Sequence, residues 1–238
     1  MLSHAESDIA DPDPMNTPSV FADRADAAEA LALHLHDYHG RKPLILAIPR
    51  GAVPMGKIIA QRLGGELDVV LVRKLGAPFD PEYALGAVDE NGWVYLDSPA
   101  GLSAAMRIFI EQEKIRQLKV LAQRRAQYTP LKRPADPHGR IAIIVDDGLA
   151  TGATMIAALH AIRAKHPAEL VCAVPVAPPQ SLAAVMPFAD RVVCLRTPAS
   201  FSSVSEFYRH FPQVDDREVA RILGMPVLPS GPEAPESG

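Results

Sequence analysis

The sequence predicts an α/β protein with a doubly wound, mostly parallel sheet and helices on both faces. Three observations lead to this prediction. Short apolar runs rich in Val, Ile and Leu recur along the chain, and such runs are typical of strands that are buried on both faces. Helical patterns separate these runs, which is the order that successive βαβ units produce. Hydrophobic residues make up 48% of the 238 residues and charged residues 22%, so the chain can bury a large core.

The first elements form one βαβ unit that is preceded by a helix. Asp23 or Asp26 is the candidate N-cap of this helix, and Gly40 ends its pattern. Because strand, helix and strand follow one another within few residues, we expect a right-handed crossover between parallel strands. The predicted elements are helix 21–38, strand 44–48, helix 53–63 and strand 68–72.

Residues 73–100 interrupt this alternation. The first part of the segment is rich in Pro and Gly and is loop-like. Two short apolar runs, 84–88 and 93–96, then flank the pair Asn91-Gly92, which is a strong signal for a hairpin turn. A loop and hairpin of this kind are a candidate lid over an active site.

The second half of the chain resumes the alternation. Its predicted elements are helix 103–128, strand 141–145, helix 155–162, strand 170–176, helix 180–186, strand 191–195 and helix 215–223. The polar, Pro-rich segments 1–18 and 226–238 are predicted to be disordered tails. We therefore expect one domain over residues 19–225.

Charge and composition exclude several classes of protein. The formal net charge is −4, and the Lys and Arg residues of 114–133 have the spacing of a solvated helix face, so we expect no nucleic-acid partner. No apolar run approaches the length of a membrane span, and the acidic N-terminus is not a signal peptide. Cys172 and Cys194 lie in apolar runs, which favours buried free thiols in a reducing cytosol over a zinc site.

The stretch 141–154, IAIIVDDGLATGAT, suits two ligand groups at once. A buried strand leads to Asp146 and Asp147, and a loop of small residues and a helix start follow. The N–H groups of such a loop favour a phosphate, as does the helix N-terminus. Ionised carboxylates only accept hydrogen bonds, so the two acids suit sugar hydroxyls. The stretch thus indicates a ribose 5-phosphate site, and the alternative is an ordinary strand-to-helix turn with an Asp cap.

Residues 145–154, VDDGLATGAT, resemble the phosphoribosyl pyrophosphate signature of the type I phosphoribosyltransferases. The resemblance extends from Ala30 to Arg196. It implies that Asp146 and Asp147 bind the ribose hydroxyls and Mg²⁺. It also implies that the loop and helix start bind the 5-phosphate through Ala150, Thr151, Gly152, Ala153 and Thr154.

Two further matches occur in the order that the family has. The turn Arg50-Gly51-Ala52 resembles the pyrophosphate loop, in which the Arg50–Gly51 bond is a candidate for a cis peptide. Arg73-Lys74 resemble the start of the flexible loop that reaches pyrophosphate when the lid closes. Both segments follow predicted strands, as the two acids do. We therefore expect the two segments and the acids to meet at the carboxyl edge of the sheet, where such folds bind ligands.

The resemblance also bears on the acceptor. The 6-oxopurine branch of the family carries Asp at the position of Ala150, so a 6-oxopurine acceptor is disfavoured. The general base must then come from elsewhere, and Glu82 in the lid is either that base or a solvated loop residue. A hood over the acceptor is expected in 197–215. Its aromatic residues either cover the sheet edge or stack on a base, with Phe201 as the best candidate for stacking.

These features imply a Mg²⁺-dependent cytoplasmic enzyme that transfers 5-phosphoribose from phosphoribosyl pyrophosphate to a nitrogenous base. The arrangement is most similar to that of bacterial stand-alone phosphoribosyltransferases whose acceptor is unassigned. The alternative is a non-catalytic module that senses the donor or a nucleotide. Family members commonly form homodimers, and helix 103–128 and the hairpin are both candidate interfaces.

Overall fold

The computed structural model describes residues 6–9, 20–78, 84–97, 102–130 and 133–224, the first of these ranges as backbone only. The strands are β1 (Glu6–Ile9), β2 (Leu44–Ala47), β3 (Glu66–Val69), β4 (Val72–Gly76), β5 (Ala84–Asp89), β6 (Val94–Leu96), β7 (Ile141–Val145), β8 (Glu169–Val176) and β9 (Arg191–Arg196). The α-helices are α1 (Arg24–His34), α2 (Ala52–Leu63), α3 (Ala104–Tyr128), α4 (Ala153–Arg163), α5 (Pro179–Val185) and α6 (Asp216–Ile222). Short 3₁₀ turns occur at His36–Tyr38, Met186–Phe188 and Val204–Phe207.

A six-stranded parallel sheet in the order β1-β9-β8-β7-β2-β3 forms the centre of the molecule, and helices cover both of its faces. Successive side chains of a strand point to opposite faces. Ile143 of β7 therefore packs with α1 and α2, whereas Ile144 packs with α4 and α5. Cys172 and Cys194 are buried on the second face as free thiols. The predicted doubly wound sheet is confirmed.

The register of the central strands sets the position of the candidate site. β7 pairs with β2 on one side and with β8 on the other, and Val145 lies opposite both Ala47 and Ala173. The carboxyl ends of β2 and β7 are therefore level with each other. As a result, the turn at Arg50 lies beside Asp146, which follows β7 directly.

The predicted strand 68–72 divides into two strands that belong to different sheets. β3 ends at Val69 in the parallel sheet, whereas β4 begins at Val72 and pairs antiparallel with β5, which in turn pairs with β6. Arg73 and Lys74 therefore lie within a strand instead of at the start of a loop. The residues at the division are all buried, so the apolar pattern does not reveal it.

The predicted hairpin is present as β5 and β6. Its turn contains Asn91 and Gly92, and Gly92 has a φ of 87°, the left-handed conformation that this turn signal favours. The ring of Trp93 stacks on that of His160 in α4, with the ring centroids 3.6 Å apart. The hairpin is thus packed against the helix that follows the acid pair.

Helix α1 is shorter than the predicted helix 21–38. Asp23 caps it by accepting two backbone N–H bonds, of 2.8 and 3.0 Å, so the helix begins at Arg24. Phe21 lies outside the helix, and its N–H donates to the carbonyl oxygen of Phe207 at 2.8 Å. The cap therefore places Arg24 at the helix start, next to the C-terminal segment.

The chain ends are described only in part. Glu6–Ile9 pair in parallel with β9 at the sheet edge, within the segment 1–18 that the sequence predicts to be disordered. The rest of that segment and the whole of 226–238 lie outside the described residues, as does Glu82. Within the described ranges, none of the helices combines the length and the apolar character that crossing a membrane requires.

Candidate functional site

The acid pair lies at the carboxyl edge of the sheet, directly after β7. Oδ1 of Asp146 accepts a hydrogen bond of 2.9 Å from the backbone N–H of Asp147. The second carboxylate touches the turn after β2, because a Cβ on Gly51 would lie 2.1 Å from Oδ2 of Asp147. Only glycine leaves room for this approach. The turn predicted to bind pyrophosphate and the acid pair are therefore in direct contact.

Arg24 is bound to the acid pair, a contact that the sequence does not predict. Its Nε and Nη2 atoms each lie 2.9 Å from Oδ2 of Asp147, and Nη1 donates to the carbonyl oxygen of Pro212 at 2.6 Å. The guanidinium carbon also lies 3.6 Å from the ring centroid of Phe211. The Arg24 and Asp147 side chains are 11% and 17% exposed, so the ion pair is largely desolvated. No sequence pattern marks this residue beyond its place after a helix cap.

Burial shapes the electrostatics of the two acids. Burial raises the pKa of Asp146 well above its usual range, and the neighbouring charge of Asp147 raises it further. Burial also raises the pKa of Asp147, while Arg24 opposes that rise. One cation thus serves two adjacent carboxylates. Added positive charge or hydroxyl donors would stabilise the ionised pair.

The loop between the acids and α4 has a backbone suited to an anion. Gly152 adopts a φ of 86°, and α4 begins directly after it. Oγ1 of Thr151 accepts from the N–H of Ala153 at 3.3 Å, and the carbonyl of Ala150 accepts from Oγ of Ser181 at 2.5 Å. A cleft of about 190 Å³, the phosphate-loop cleft, is lined by Lys74, Asp146, Gly148, Leu149, Ala150, Thr151, Gly152, Thr154, Met155 and Val204. Ala153 is buried behind it.

A second cleft, of about 400 Å³, is strongly basic, and we call it the arginine cleft. It is lined by Arg24, Pro49, Arg50, Gly51, Arg73, Arg124, Asp147, Phe211, Pro212, Gln213 and Val214. Burial lowers the pKa of Arg73, and the like charges of Arg124 and Arg50 lower it further. Nη1 of Arg50 lies 3.7 Å from a carboxylate oxygen of Asp216. The cleft thus concentrates positive charge beside the second acid.

Arg73 and Lys74, which were predicted to act together, line different clefts at the acid pair. They are neighbours on β4, so their side chains point to opposite sides. Arg73 lines the arginine cleft, whereas Lys74 lines the phosphate-loop cleft. Both residues also line a third cleft, together with Gln117 of α3. Both residues are held in β4, which ends at Gly76. Their predicted contact with pyrophosphate when a lid closes stays a prediction.

The turn after β2 contains a cis peptide bond, but at Pro49–Arg50, one bond before the predicted Arg50–Gly51. The motif marks the turn and does not distinguish two successive bonds within it. Ala52 begins α2 directly after Gly51. The N–H groups of a first helical turn have no partner inside the helix, so this turn has donors for an anion.

The C-terminal segment covers the acid pair. The hydroxyl of Tyr208 donates to the backbone carbonyl of Asp147 at 2.6 Å. Burial raises the pKa of this hydroxyl, and the charge of Asp147 raises it further, so it stays a donor. The rings of Phe201 and Phe207 stack on each other at 5.4 Å, and that of Tyr208 lies 5.6 Å from Phe21. These aromatic residues therefore pack largely against one another and cover the sheet edge, which is one of the two roles expected for them. The contact of Tyr208 with Asp147 is not predicted by the sequence.

The donor atoms of the site suit Mg²⁺. Within the described residues, no three His, Cys, Asp or Glu side chains come together as a protein-only metal cage. Mg²⁺ is commonly held by one or two carboxylates together with substrate phosphates and water. Asp146 and Asp147 offer two carboxylates between the two clefts. Burial raises the pKa of both, and a bound cation would favour their ionised forms.

Comparisons with known proteins give the family. The chain matches the model of the phosphoribosyl transferase domain over residues 20–206. It is 43% identical over 209 residues to provisionally named phosphoribosyl transferases of two Mycobacterium tuberculosis strains, with 86% of this chain and 46% of each relative covered. The chain thus spans about half the length of these curated relatives.

One solved structure is similar along nearly its whole length. The crystal structure of TT1426 from Thermus thermophilus has 43% sequence identity and a TM-score of 0.72, and the match covers 86% of this chain and 97% of TT1426. The family match includes the acid pair and both predicted loops, whereas Tyr208, Pro212 and Asp216 lie beyond it. The chain therefore belongs to the phosphoribosyl transferase domain family.

Proposed function

We propose that the chain transfers 5-phosphoribose from phosphoribosyl pyrophosphate to a nitrogenous base. The observation that carries this proposal is the placement of the acid pair between the arginine cleft and the phosphate-loop cleft. Asp146 lines the phosphate-loop cleft, and Asp147 lines the arginine cleft. A ribose whose hydroxyls bind the acids would place its 5-phosphate in the first cleft and its pyrophosphate in the second.

The chemistry needs a stabilised leaving group more than a strong nucleophile. The bond between C1 and the pyrophosphate oxygen breaks, its electron pair leaves with pyrophosphate, and the acceptor nitrogen forms a new bond to C1. Arg50 and Arg73 would bind the developing negative charge, together with the N–H groups of Gly51 and Ala52. The carboxylates would hold the sugar hydroxyls, which fixes C1 relative to the acceptor.

We propose Mg²⁺ as the cofactor, with Asp146 and Asp147 as its protein contacts. When bound, the ion supplies positive charge to the pyrophosphate oxygens. Thr151, Gly152 and Thr154 would bind the 5-phosphate, and Lys74 would add charge on that side. Ala150 and Ala153 would contribute backbone groups only. Glu82 stays a proposed general base.

The acceptor is proposed to be a nitrogenous base other than a 6-oxopurine, because Ala150 has no carboxylate for the purine ring. Phe201 is half-buried and remains the proposed stacking partner in the hood. The free thiols of Cys172 and Cys194 support a cytosolic location. A homodimer through α3 or the hairpin is proposed on the family resemblance alone.

The test is calorimetric titration of the purified protein with phosphoribosyl pyrophosphate and Mg²⁺. The Asp146→Asn/Asp147→Asn variant should lose binding, while circular dichroism at the titration temperature verifies that it is folded. The matched control is Asp37→Asn/Asp136→Asn, which makes the same charge change at two exposed positions. Equal donor affinity in the two double variants would overturn the site assignment.

Catalysis is tested separately from binding. Wild-type protein, donor and Mg²⁺ are combined with a panel of purine, pyrimidine and pyridine bases, and pyrophosphate release is measured. Release with one base identifies the acceptor. Tight donor binding without release on any base would favour the alternative, a non-catalytic sensor of the donor.

A further inference from the structure

We propose that helix α3 forms a wall of the pyrophosphate site, with Arg124 binding the pyrophosphate directly and Gln117 positioning Arg73. The inference rests on the proposed function, because it assumes that the arginine cleft takes the pyrophosphate end of the donor. It assigns roles to a helix outside the three motifs that carry the resemblance.

Arg124 is placed where its guanidinium group could bind an anion. It lines the arginine cleft with Arg50 and Arg73, and its side chain is half-buried. Within the part of the chain that the structure describes, its guanidinium group forms no hydrogen bond or ion pair. Its charge and that of Arg50 act on Arg73, so the three guanidinium groups repel one another. Partly desolvated like charges are unfavourable unless an anion joins them, and pyrophosphate is such an anion.

Arg73 is held by a buried polar chain on the same helix. Its Nε donates to Oε1 of Gln117 at 2.8 Å, and Nε2 of Gln117 donates to Oε1 of Glu113 at 2.7 Å. Gln117 and Glu113 are 8% and 5% exposed. Glu and Gln are rarely buried in this way, and a fully bonded network fixes the rotamers of its members. Gln117 therefore acts on the ligand through the position of Arg73.

The spacing along α3 puts these residues on one helix face. Gln117 is four residues after Glu113, Arg124 is seven residues further on, and Tyr128 is four residues after that. Tyr128 donates a hydrogen bond to Asp216, whose carboxylate pairs with Arg50. One face of α3 thus carries Arg124, binds Arg73 through Gln117, and binds the Asp216 partner of Arg50 through Tyr128. Sites built on helices hold their geometry well.

The experiment measures the binding of the pyrophosphate and ribose 5-phosphate parts of the donor separately. Wild-type protein and variants are titrated calorimetrically with Mg²⁺-pyrophosphate and, in a second series, with ribose 5-phosphate. Arg124→Ala should weaken pyrophosphate binding about 10- to 100-fold and leave ribose 5-phosphate binding unchanged. The control is Arg107→Ala, an exposed arginine on the same helix about 25 Å away, which should change neither.

Gln117→Met tests the positioning role. It should weaken pyrophosphate binding less than Arg124→Ala does, and unchanged ribose 5-phosphate binding verifies the fold. Suppose that wild-type protein binds both ligands and that Arg124→Ala binds pyrophosphate within twofold of wild type. This result overturns the present inference and leaves the proposed function intact. A wild-type protein that binds neither ligand overturns the proposed function and this inference together.

Discussion

Replacing Arg24 by methionine tests how far the acid pair depends on its buried cation. The variant leaves the Asp147 carboxylate without its guanidinium partner and the Pro212 carbonyl without its donor. Removing one member of a buried ion pair costs about 3–5 kcal/mol. Because the two side chains keep 11% and 17% exposure, we expect the lower part of that range, a loss of about 3 kcal/mol in the free energy of unfolding at pH 8. Urea unfolding followed by circular dichroism measures it.

The loss should depend on pH. Burial already raises the pKa of Asp147, and the variant removes the charge of Arg24 that opposes this rise. A carboxyl group whose folded pKa exceeds its unfolded pKa binds more protons in the folded state, so the free energy of unfolding falls as pH rises between the two values. The contribution of the protonated carboxyl group to the free energy of unfolding is fully present below its unfolded pKa of about 3.9. The difference between Arg24→Met and wild type should therefore narrow from pH 8 towards pH 5.

The matched control is Arg62→Met. Arg62 binds Glu29 through the same two nitrogen atoms, Nε and Nη2, with bonds of 2.7 and 2.8 Å, but the two side chains are 62% and 45% exposed. Exposed ion pairs contribute little to stability, so this variant should unfold close to wild type at every pH. If Arg24→Met is no less stable than Arg62→Met, the reasoning from burial is refuted.

Three further outcomes are expected. Gly51→Ala should weaken binding of phosphoribosyl pyrophosphate at least about tenfold in calorimetric titration, because its Cβ would collide with Asp147. Gly64→Ala should leave this binding unchanged, because its Cβ meets no atom and the strain from its φ of 66° is confined to the end of α2. Tyr128→Phe should lower the free energy of unfolding by about 1.5–3 kcal/mol in urea, since Asp216 loses a hydroxyl donor, and an unchanged midpoint would contradict this. Both buried cysteine thiols should resist a thiol reagent until the protein is unfolded, because burial raises their pKa.

Much of the fold was predictable because its signals are local. The run 141–145 is a strand in the sequence and in the structure, and the loop and helix that follow it are where the pattern indicates. The predicted strand 68–72 was wrong in part, since Val69 and Val72 are equally suited to either sheet. The choice between the sheets depends on which partner strand is nearby, and a single apolar run does not contain that information.

The candidate site was predictable only where a motif carries it. The acid pair and the turn at Gly51 follow strands in a recognisable order. Arg24 and Tyr208 belong to no such motif, because each contacts Asp147 from a distant part of the chain. A basic residue after a helix cap and an aromatic residue in a loop have no distinctive pattern, and only the folded geometry brings them to the acids.

The contacts that complete the acid pair also bear on how the molecule folds. Arg24 reaches Asp147 across 123 positions of the chain and Pro212 across 188. Such closures come late, because the intervening chain must lose its freedom before the contact forms. The loop 146–152 and α4 are adjacent in sequence and can form early. A refolding chain should therefore regain its helices and strands before it regains the contacts that Arg24 makes with Asp147 and Pro212.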